Sequence, residues 1–209
     1  MRRFGRPLAD LLERDANEGD TRLLVTDFLR EGLGFDKHED LTTECQVKGE
    51  FAGYGVRIDR RLVAFVEVKR CTQKLAMRHL RRVQMYAVSE GVEWIILTNG
   101  QVWQVYHLTG GLPLIIDPVL EVDLLSDDPL AQKADGLFHL SKEALKRRLL
   151  DDLWKAKAAT APKSLSGVLL SEAVVDAVRK ELRRQTGYNG DVTEIARALR
   201  EQVIRAEAL

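Results

Sequence analysis

The sequence predicts an α/β fold in which a mixed β-sheet is flanked by helices. Short runs rich in β-branched residues alternate with stretches whose apolar residues recur at helical spacing. Two pairs of these short runs are separated only by brief polar turns, as in β-hairpins. Beyond Asp117 the strand patterns give way to charged, helical ones. We therefore expect an N-terminal α/β domain followed by a helical appendage.

The elements of the predicted sheet follow one another in a regular order. An amphipathic helix comes first and ends at a glycine, and a hairpin with a polar turn at residues 59–61 follows it. A second helix, closed by Gly91, leads into a buried strand, and Asn99-Gly100 is a hairpin signal before the next strand. The predicted ranges are helix 20–32, strands 46–58 and 62–70, helix 74–90, and strands 94–98 and 101–108.

The C-terminal part of the chain is predicted to be helical. Residues 141–158 form a charged helix, and residues 160–167 have the composition of a linker. Residues 171–186 and 191–206 form two helices with narrow apolar stripes. We divide the chain into a main domain (1–125), a connecting helix and linker (126–160), and a two-helix hairpin (161–209). The hairpin is too small to have much core of its own, so we expect it to pack on the main domain or on a second copy, and a helix-turn-helix DNA reader is the alternative.

The composition limits the classes of function. The chain has 209 residues and a net charge of zero, so contact with DNA would require a local basic patch. Its only two cysteines, Cys45 and Cys71, argue against a disulfide scaffold, and His79 and His107 lack metal-ligand spacing. No apolar run approaches the ~20 residues that cross a bilayer, and the N-terminus lacks an apolar signal core. We expect no membrane partner and a cytoplasmic location.

The strand sequence VAFVEVKR carries the strongest chemical signal. In a strand the side-chain period is two, so Glu67 and Lys69 point to one face while Val66 and Val68 fill the other. A carboxylate and an ammonium on a buried strand are costly to desolvate. Such a pair could hold a divalent metal and orient a water that attacks a phosphodiester. The alternative is a structural ion pair at the end of a strand.

A basic stripe is predicted on the helix that follows this strand. It could follow a DNA backbone, or it could be an ordinary solvated helix face. Tyr86 lies at the boundary between the basic and apolar faces and could join the DNA contacts, although core packing is the alternative. The cations of the stripe are Lys74, Arg78, Arg81 and Arg82.

Residues 17–108 resemble the N-terminal nuclease domain of type I restriction enzyme R subunits, in the PD-(D/E)xK nuclease superfamily. The matching pieces, in order, are NEGDTR, VAFVEVKR, QMYA and LTNGQVWQVY. The resemblance implies a restriction-endonuclease-like sheet and a magnesium-dependent DNA-cleaving site. It assigns catalytic roles to Glu67, Lys69 and Glu18, with Glu67 and Glu18 as metal ligands.

Two positions depart from the pattern of this family. The aspartate expected opposite Glu67 is Gly53, and the expected glutamine of the later helix is Arg82. Asp59 lies some six residues away along the ribbon, roughly 20 Å, and Glu50 would require a change of strand register. Magnesium is usually held by one or two carboxylates with waters and phosphate oxygens, so Glu67 with Glu18 alone would bind it weakly.

The sequence therefore favours a nuclease-like protein with impaired cleavage that acts as a DNA-binding or protein-assembly module. The alternative is an active Mg²⁺-dependent endonuclease that uses a displaced acid, Glu50 or Asp59. Magnesium is expected only if the protein is active, and the C-terminal helices are expected to contact a protein partner or a second copy.

Overall fold

The fold was obtained as a computed structural model, which describes residues 2–43, 46–47, 50–51, 53–110, 113–205 and 207. The chain forms two compact units, Met1–Asp152 and Leu153–Leu209. Residues 126–152, which the sequence suggested as part of a connection, therefore belong to the first unit.

A six-stranded mixed sheet is the centre of the first unit, as the sequence predicted for the α/β class. The strands lie in the order β1-β4-β5-β6-β7-β8, and β2 and β3 form a separate two-stranded pair. Neighbouring strands are antiparallel except β5 and β6, which are parallel. The strands in the described residues are β1 (Leu41–Thr42), β2 (Gln46–Val47), β3 (Glu50–Phe51), β4 (Tyr54–Ile58), β5 (Arg61–Val68), β6 (Trp94–Thr98), β7 (Val102–Thr109) and β8 (Ile115–Asp123).

Helices flank this sheet and make up the second unit. Helix α2 continues as a π-helical turn over Phe28–Gly32, a 3₁₀ turn at Met77–His79 precedes α3, and a π-helical turn at Leu199–Val203 follows α9. None of the helices in the described residues is long and apolar enough to cross a membrane. The helices are α1 (Arg2–Glu13), α2 (Glu18–Asp27), α3 (Leu80–Glu90), α4 (Leu130–Phe138), α5 (Lys142–Lys146), α6 (Leu149–Ala159), α7 (Pro162–Leu169), α8 (Glu172–Thr186) and α9 (Val192–Ala198).

Local sequence explains the hairpin and the crossover that position the candidate site. Asp59 and Arg60 both have positive φ, 49° and 67°, so they form a tight two-residue turn between β4 and β5. Helix α3 links β5 to the parallel strand β6, and it ends at Gly91, whose φ of 65° is the left-handed conformation common after a helix. The open end of the β4–β5 hairpin therefore lies at the end of β5 that leads towards α3.

Helices cover both faces of the sheet. Phe65 of β5 and Tyr106 of β7 pack with Leu80 and Val83 of α3 in one core cluster. On the opposite face, the ring of Trp103 lies 5.0 Å from that of Phe28, just after α2. Because side chains alternate along a strand, Phe65 and Glu67 share the α3 face.

Several local expectations were wrong. Residues 46–47 and 50–51 form the separate β2–β3 pair, and β4 begins only at Tyr54. The helix expected over 141–158 is divided into α5 and α6 at Arg148, whose φ is 58°. The segment 160–167 contains α7, which begins at Pro162, a residue favoured at a first helical position.

Candidate functional site

The candidate site lies where β5 ends. Glu67 is the second-to-last residue of β5 and pairs in parallel register with Leu97 of β6. Its side chain is only 9% exposed. Lys69 follows directly after the strand, where its backbone N–H donates to the carbonyl oxygen of Thr98 (2.8 Å). The strand and its neighbour β6 therefore fix both residues at the same edge of the sheet.

The charged side chains at this edge form a connected series with alternating sign. Lys69 Nζ donates to Glu67 Oε1 at 2.5 Å and lies 3.8 Å from Glu18 Oε2. Arg22 Nη2 lies 3.7 Å from the other carboxylate oxygen of Glu18. Two carboxylates and two cations thus neutralise one another, and the ammonium group of Lys69 contacts both carboxylates. We call these four residues, Glu67, Lys69, Glu18 and Arg22, the ion-pair series.

Glu18 lies at the start of helix α2, which places it beside Lys69. Asn17 caps the helix, since its Oδ1 accepts the backbone N–H of Asp20 (2.9 Å), which places Glu18 in the first turn. An acidic residue in that turn is also favoured by the helix dipole. The sequence connected Glu18 with Glu67 only through the family resemblance, and the structure brings the two within reach of one lysine.

A second set of contacts ties α1 and α2 to the segment that follows Lys69. Asp15, in a left-handed conformation between the two helices, accepts hydrogen bonds from Arg70 and from Thr72 Oγ1 (2.7 Å). The buried Cys71 backbone N–H donates to Thr21 Oγ1 at 3.0 Å. These bonds fix α2 against the end of β5 and so keep Glu18 beside Lys69.

Gly53 lies beside Glu67 on the neighbouring leg of the hairpin. Tyr54 pairs with Val66, which puts residue 53 next in register to Glu67. A Cβ atom built on Gly53 would lie 2.3 Å from the carbonyl oxygen of Val66 and 3.3 Å from the backbone nitrogen of Val68. The strand backbone leaves no room for a side chain here, so an aspartate could not be added at this position without moving the hairpin.

Of the two displaced acids suggested by the sequence, Asp59 is not brought to Glu67, and only the backbone of Glu50 is described. Asp59 lies in the turn at the far end of the hairpin, is largely exposed, and is 3.6 Å from Lys146 Nζ. The backbone of Glu50 belongs to β3, which pairs with β2 and not with the six-stranded sheet. The side chain of Glu50 lies outside the described part of the chain.

His79 adjoins the ion-pair series, which the sequence did not indicate because it has no metal-ligand spacing to another residue. The backbone N–H of Ala76 donates to its Nδ1 (3.2 Å), and Arg78 Nε lies 3.4 Å from its Nε2. Burial lowers the pKa of His79, and the charges of Arg78 and Lys69 lower it further, against the opposing effect of Glu67 and Glu18. The imidazole therefore takes up a proton less readily than a free histidine, and its contact with Arg78 places it beside the basic stripe.

The predicted basic stripe is exposed beside this site. Lys74 lies in the loop before α3, so the helix begins later than predicted, and Arg78, Arg81 and Arg82 lie on the outer side of the 3₁₀ turn and of α3. Residues 68–89 contain no acidic residue, although the whole chain is neutral. Tyr86 is only 4% exposed within the core cluster, which leaves little of its surface for contact with DNA. From here on we call this stripe, formed by Lys74, Arg78, Arg81 and Arg82, the basic edge.

The side chains present do not suit a magnesium ion well. Mg²⁺ takes oxygen ligands in near-octahedral geometry, usually from carboxylates, waters and phosphates. The described residues contain no group of three or more His, Cys, Asp or Glu side chains placed to hold a metal. Among the side chains that the structure describes, the carboxylates of Glu67 and Glu18 lie at this edge, and the ammonium group of Lys69 contacts both of them.

Known proteins give no further information about this site. No protein-family model, no curated protein and no solved structure matches the chain. The functional argument therefore depends on the ion-pair series, on Gly53 and on the basic edge.

Proposed function

We propose that the chain is a nuclease-fold protein that binds DNA without cutting it. The observation that carries this proposal is the distance of 2.3 Å between a Cβ atom built on Gly53 and the carbonyl oxygen of Val66. The resemblance to PD-(D/E)xK nucleases implies a metal-binding aspartate at that position. The hairpin is built so closely there that only a glycine fits.

The ion-pair series supports the same conclusion by its charge. A cleavage site for a phosphodiester needs carboxylates that are available to a divalent cation. Here Glu67 is hydrogen-bonded to Lys69, and Glu18 lies between Lys69 and Arg22. Because each carboxylate already has a cation, a metal would have to displace a lysine from a largely buried pair.

The basic edge supports binding to a phosphate backbone. Lys74, Arg78 and Arg81 make no ion pair with a carboxylate anywhere in the described part of the chain, so their charges remain available to an anion. Protein–DNA affinity comes largely from such cations, which release counterions from the DNA when they bind. Contacts of this kind position a protein on DNA without reading its sequence.

Fluorescence anisotropy of a labelled DNA duplex tests this proposal. We expect binding that is equal in EDTA and in Mg²⁺, that weakens steeply between about 50 and 200 mM salt, and that leaves the duplex intact. The control is the Arg61→Glu variant, which changes an exposed arginine at the opposite end of β5. A protein that fails to bind the duplex even at low salt would contradict the proposal.

One observation favours an active endonuclease as a second candidate. Glu67 and Glu18 both contact the ammonium group of Lys69, so a movement of Lys69 would leave two carboxylates facing the same space. Thermal unfolding with Mg²⁺ or Mn²⁺ distinguishes the two candidates, since a ligand that binds only the folded state raises its melting temperature. A saturable rise that is lost in Glu67→Ala would favour the enzyme, and no rise in either protein would favour the non-cleaving module.

A further inference from the structure

The exposed side of α3 carries two large apolar side chains outside the core. Met85 is 68% exposed and Val88 is 58% exposed. The opposite side of the helix provides the packing, since Leu80 and Val83 belong to the buried core cluster beneath it. Met85 and Val88 lie three residues apart, so they are neighbours on the helix surface. An exposed apolar pair that the core does not require is a candidate contact surface for a ligand.

The same side of α3 carries arginines of the basic edge. Arg81 and Arg82 are exposed and lie four and three residues before Met85, which places these side chains on one face of the helix. Arg78 is exposed in the 3₁₀ turn that precedes the helix. The next acidic residue along the chain is Glu90, about 140° around the helix from Met85. Cationic and apolar side chains are therefore adjacent on this surface. We call Arg78, Arg81, Arg82, Met85 and Val88 the α3 face.

The α3 face matches the chemistry of a nucleic-acid strand whose bases are unpaired. Its arginines are complementary in charge to phosphates. Methionine sulfur makes favourable contacts with aromatic rings, and every unpaired base exposes such a ring. In a duplex the rings are stacked, and the major groove presents polar base edges on which the thymine methyl group is the apolar part. Apolar side chains beside arginines therefore gain more contact from a single strand than from a duplex.

An anionic membrane fits the α3 face less well. A helix that lies in a membrane interface buries a broad apolar face among the lipids. The broad apolar face of α3 packs on the sheet, where Leu80 and Val83 are buried, which leaves Met85 and Val88 to face a lipid. The charge of the arginines and the small apolar area together favour a flexible polyanion with exposed rings.

We propose that the α3 face binds single-stranded DNA in preference to duplex DNA. This inference rests on the proposed function and adds the form of DNA that the basic edge receives. Phosphates contact Arg78, Arg81 and Arg82, while the ring of an unpaired base packs on Met85 and Val88. Salt weakens the phosphate contacts but not the apolar ones, so the preference for a single strand increases as the salt concentration rises.

Fluorescence anisotropy with a labelled single strand and with the duplex of the same sequence tests this inference. At about 150 mM salt we expect the full chain to bind the single strand at least about fivefold more tightly than the duplex. The double variant Met85→Gln/Val88→Thr makes both side chains polar with little change in size. It should weaken single-strand binding by about three- to tenfold, because the apolar contact is lost. Duplex binding should stay unchanged, which also shows that the variant is folded.

The matched control is Leu23→Gln, which makes the same kind of change at a leucine of α2 that is also 68% exposed. This variant should bind both forms of DNA as the wild type does. Equal affinity of the wild type for the two forms, a double variant that keeps the preference, or a control that loses it would each overturn the inference while the proposed function stands. Failure to bind either form at about 50 mM salt would instead contradict the proposed function itself.

Vesicles of phosphatidylserine test the membrane alternative in the same buffers. We expect the wild type and the double variant to show the same weak, salt-sensitive association with vesicles. Vesicle binding that the double variant loses, together with equal affinity for single-stranded and duplex DNA, would overturn the inference and assign the α3 face to a lipid surface.

Discussion

The ion-pair series and the basic edge are neighbours in the fold, yet they use charge in opposite ways. In the series, Glu67 and Lys69 are largely buried and satisfy each other at 2.5 Å. In the edge, cations such as Arg81 are exposed and follow one another without any nearby acid in the sequence. Charges that are paired and desolvated stabilise each other in place, whereas exposed charges of one sign remain available to an anion.

This difference separates two properties that a nuclease combines. Cleavage depends on carboxylates that a metal can reach, and binding depends on cations that phosphates can reach. Here Lys69 satisfies the carboxylates and Gly53 excludes another, while the basic edge stays accessible. Under the proposed function, the basic edge would carry DNA binding while the ion-pair series would not hold a metal, and each prediction below changes one side of this comparison.

The largest effect is expected from removing the lysine of the series. Lys69→Met leaves the carboxylate of Glu67 buried without its partner, which should lower the free energy of unfolding by about 3 kcal/mol. Lys74→Met, the matched change in the basic edge, should alter it by less than about 0.5 kcal/mol. Urea denaturation of the wild type, Lys69→Met and Lys74→Met measures these free energies of unfolding.

A double variant checks whether the cost arises from the unpaired charge. Glu67→Gln/Lys69→Met removes both charges together, so it should recover most of the stability lost in Lys69→Met. If the double variant is as unstable as the single one, the loss comes from packing and the comparison between paired and exposed charges is wrong.

The next largest effect is expected at Gly53. Gly53→Ala forces a Cβ atom against the carbonyl oxygen of Val66, so the hairpin must shift at a cost of roughly 2 kcal/mol. Gly110→Ala is the control, because a Cβ atom built there meets no other atom within 4 Å. Thermal unfolding should show a lower melting temperature only for Gly53→Ala. Equal melting temperatures would mean that position 53 can accept a side chain and that a carboxylate is not excluded there.

A smaller effect is expected from reversing one charge of the basic edge. Arg78→Glu and Arg81→Glu should each weaken DNA binding by roughly three- to tenfold at low salt and flatten the salt dependence by about one phosphate contact. Both should leave the melting temperature near that of the wild type, in contrast to Lys69→Met. Anisotropy measures the affinity, and an unchanged affinity in both variants would assign DNA binding to another surface or to none.

The smallest effect is expected from pH at the junction of the two regions. Burial and neighbouring cations lower the pKa of His79, so the folded protein takes up a proton there less readily than the unfolded chain. Stability associated with His79 is therefore complete above the ordinary imidazole pKa of about 6.5 and falls as the pH decreases through that value. His79→Gln should reduce the fall in melting temperature between about pH 7.5 and pH 5.5. A fall of the same size in the variant would show that other groups cause it.

Much of the sheet could be predicted because its signals are local. The two-residue alternation placed Glu67 and Lys69 together, and counting back along the hairpin placed Gly53 opposite Glu67. Strand β8 was not predicted from the sequence. It contains Pro118, and proline is tolerated at a sheet edge, which is where β8 lies.

The decisive features of the site depend on packing between distant segments. The contact between a Cβ atom at Gly53 and the Val66 carbonyl depends on how closely the two legs of the hairpin approach, which no residue pattern encodes. The contact of Lys69 with Glu18 depends on α2, held by Asp15 and its partners far along the chain. Arg22 alone had a local signal, because it lies four residues after Glu18 on one helix.

Incubation of plasmid DNA with the purified chain in Mg²⁺ or Mn²⁺ tests the central claim most directly, with the Glu67→Ala variant as control. We expect supercoiled plasmid to remain uncut by both proteins at concentrations that fully bind it. Metal-dependent nicking or linearisation by the wild type that disappears in Glu67→Ala would show that the ion-pair series opens to a metal, and it would contradict the account.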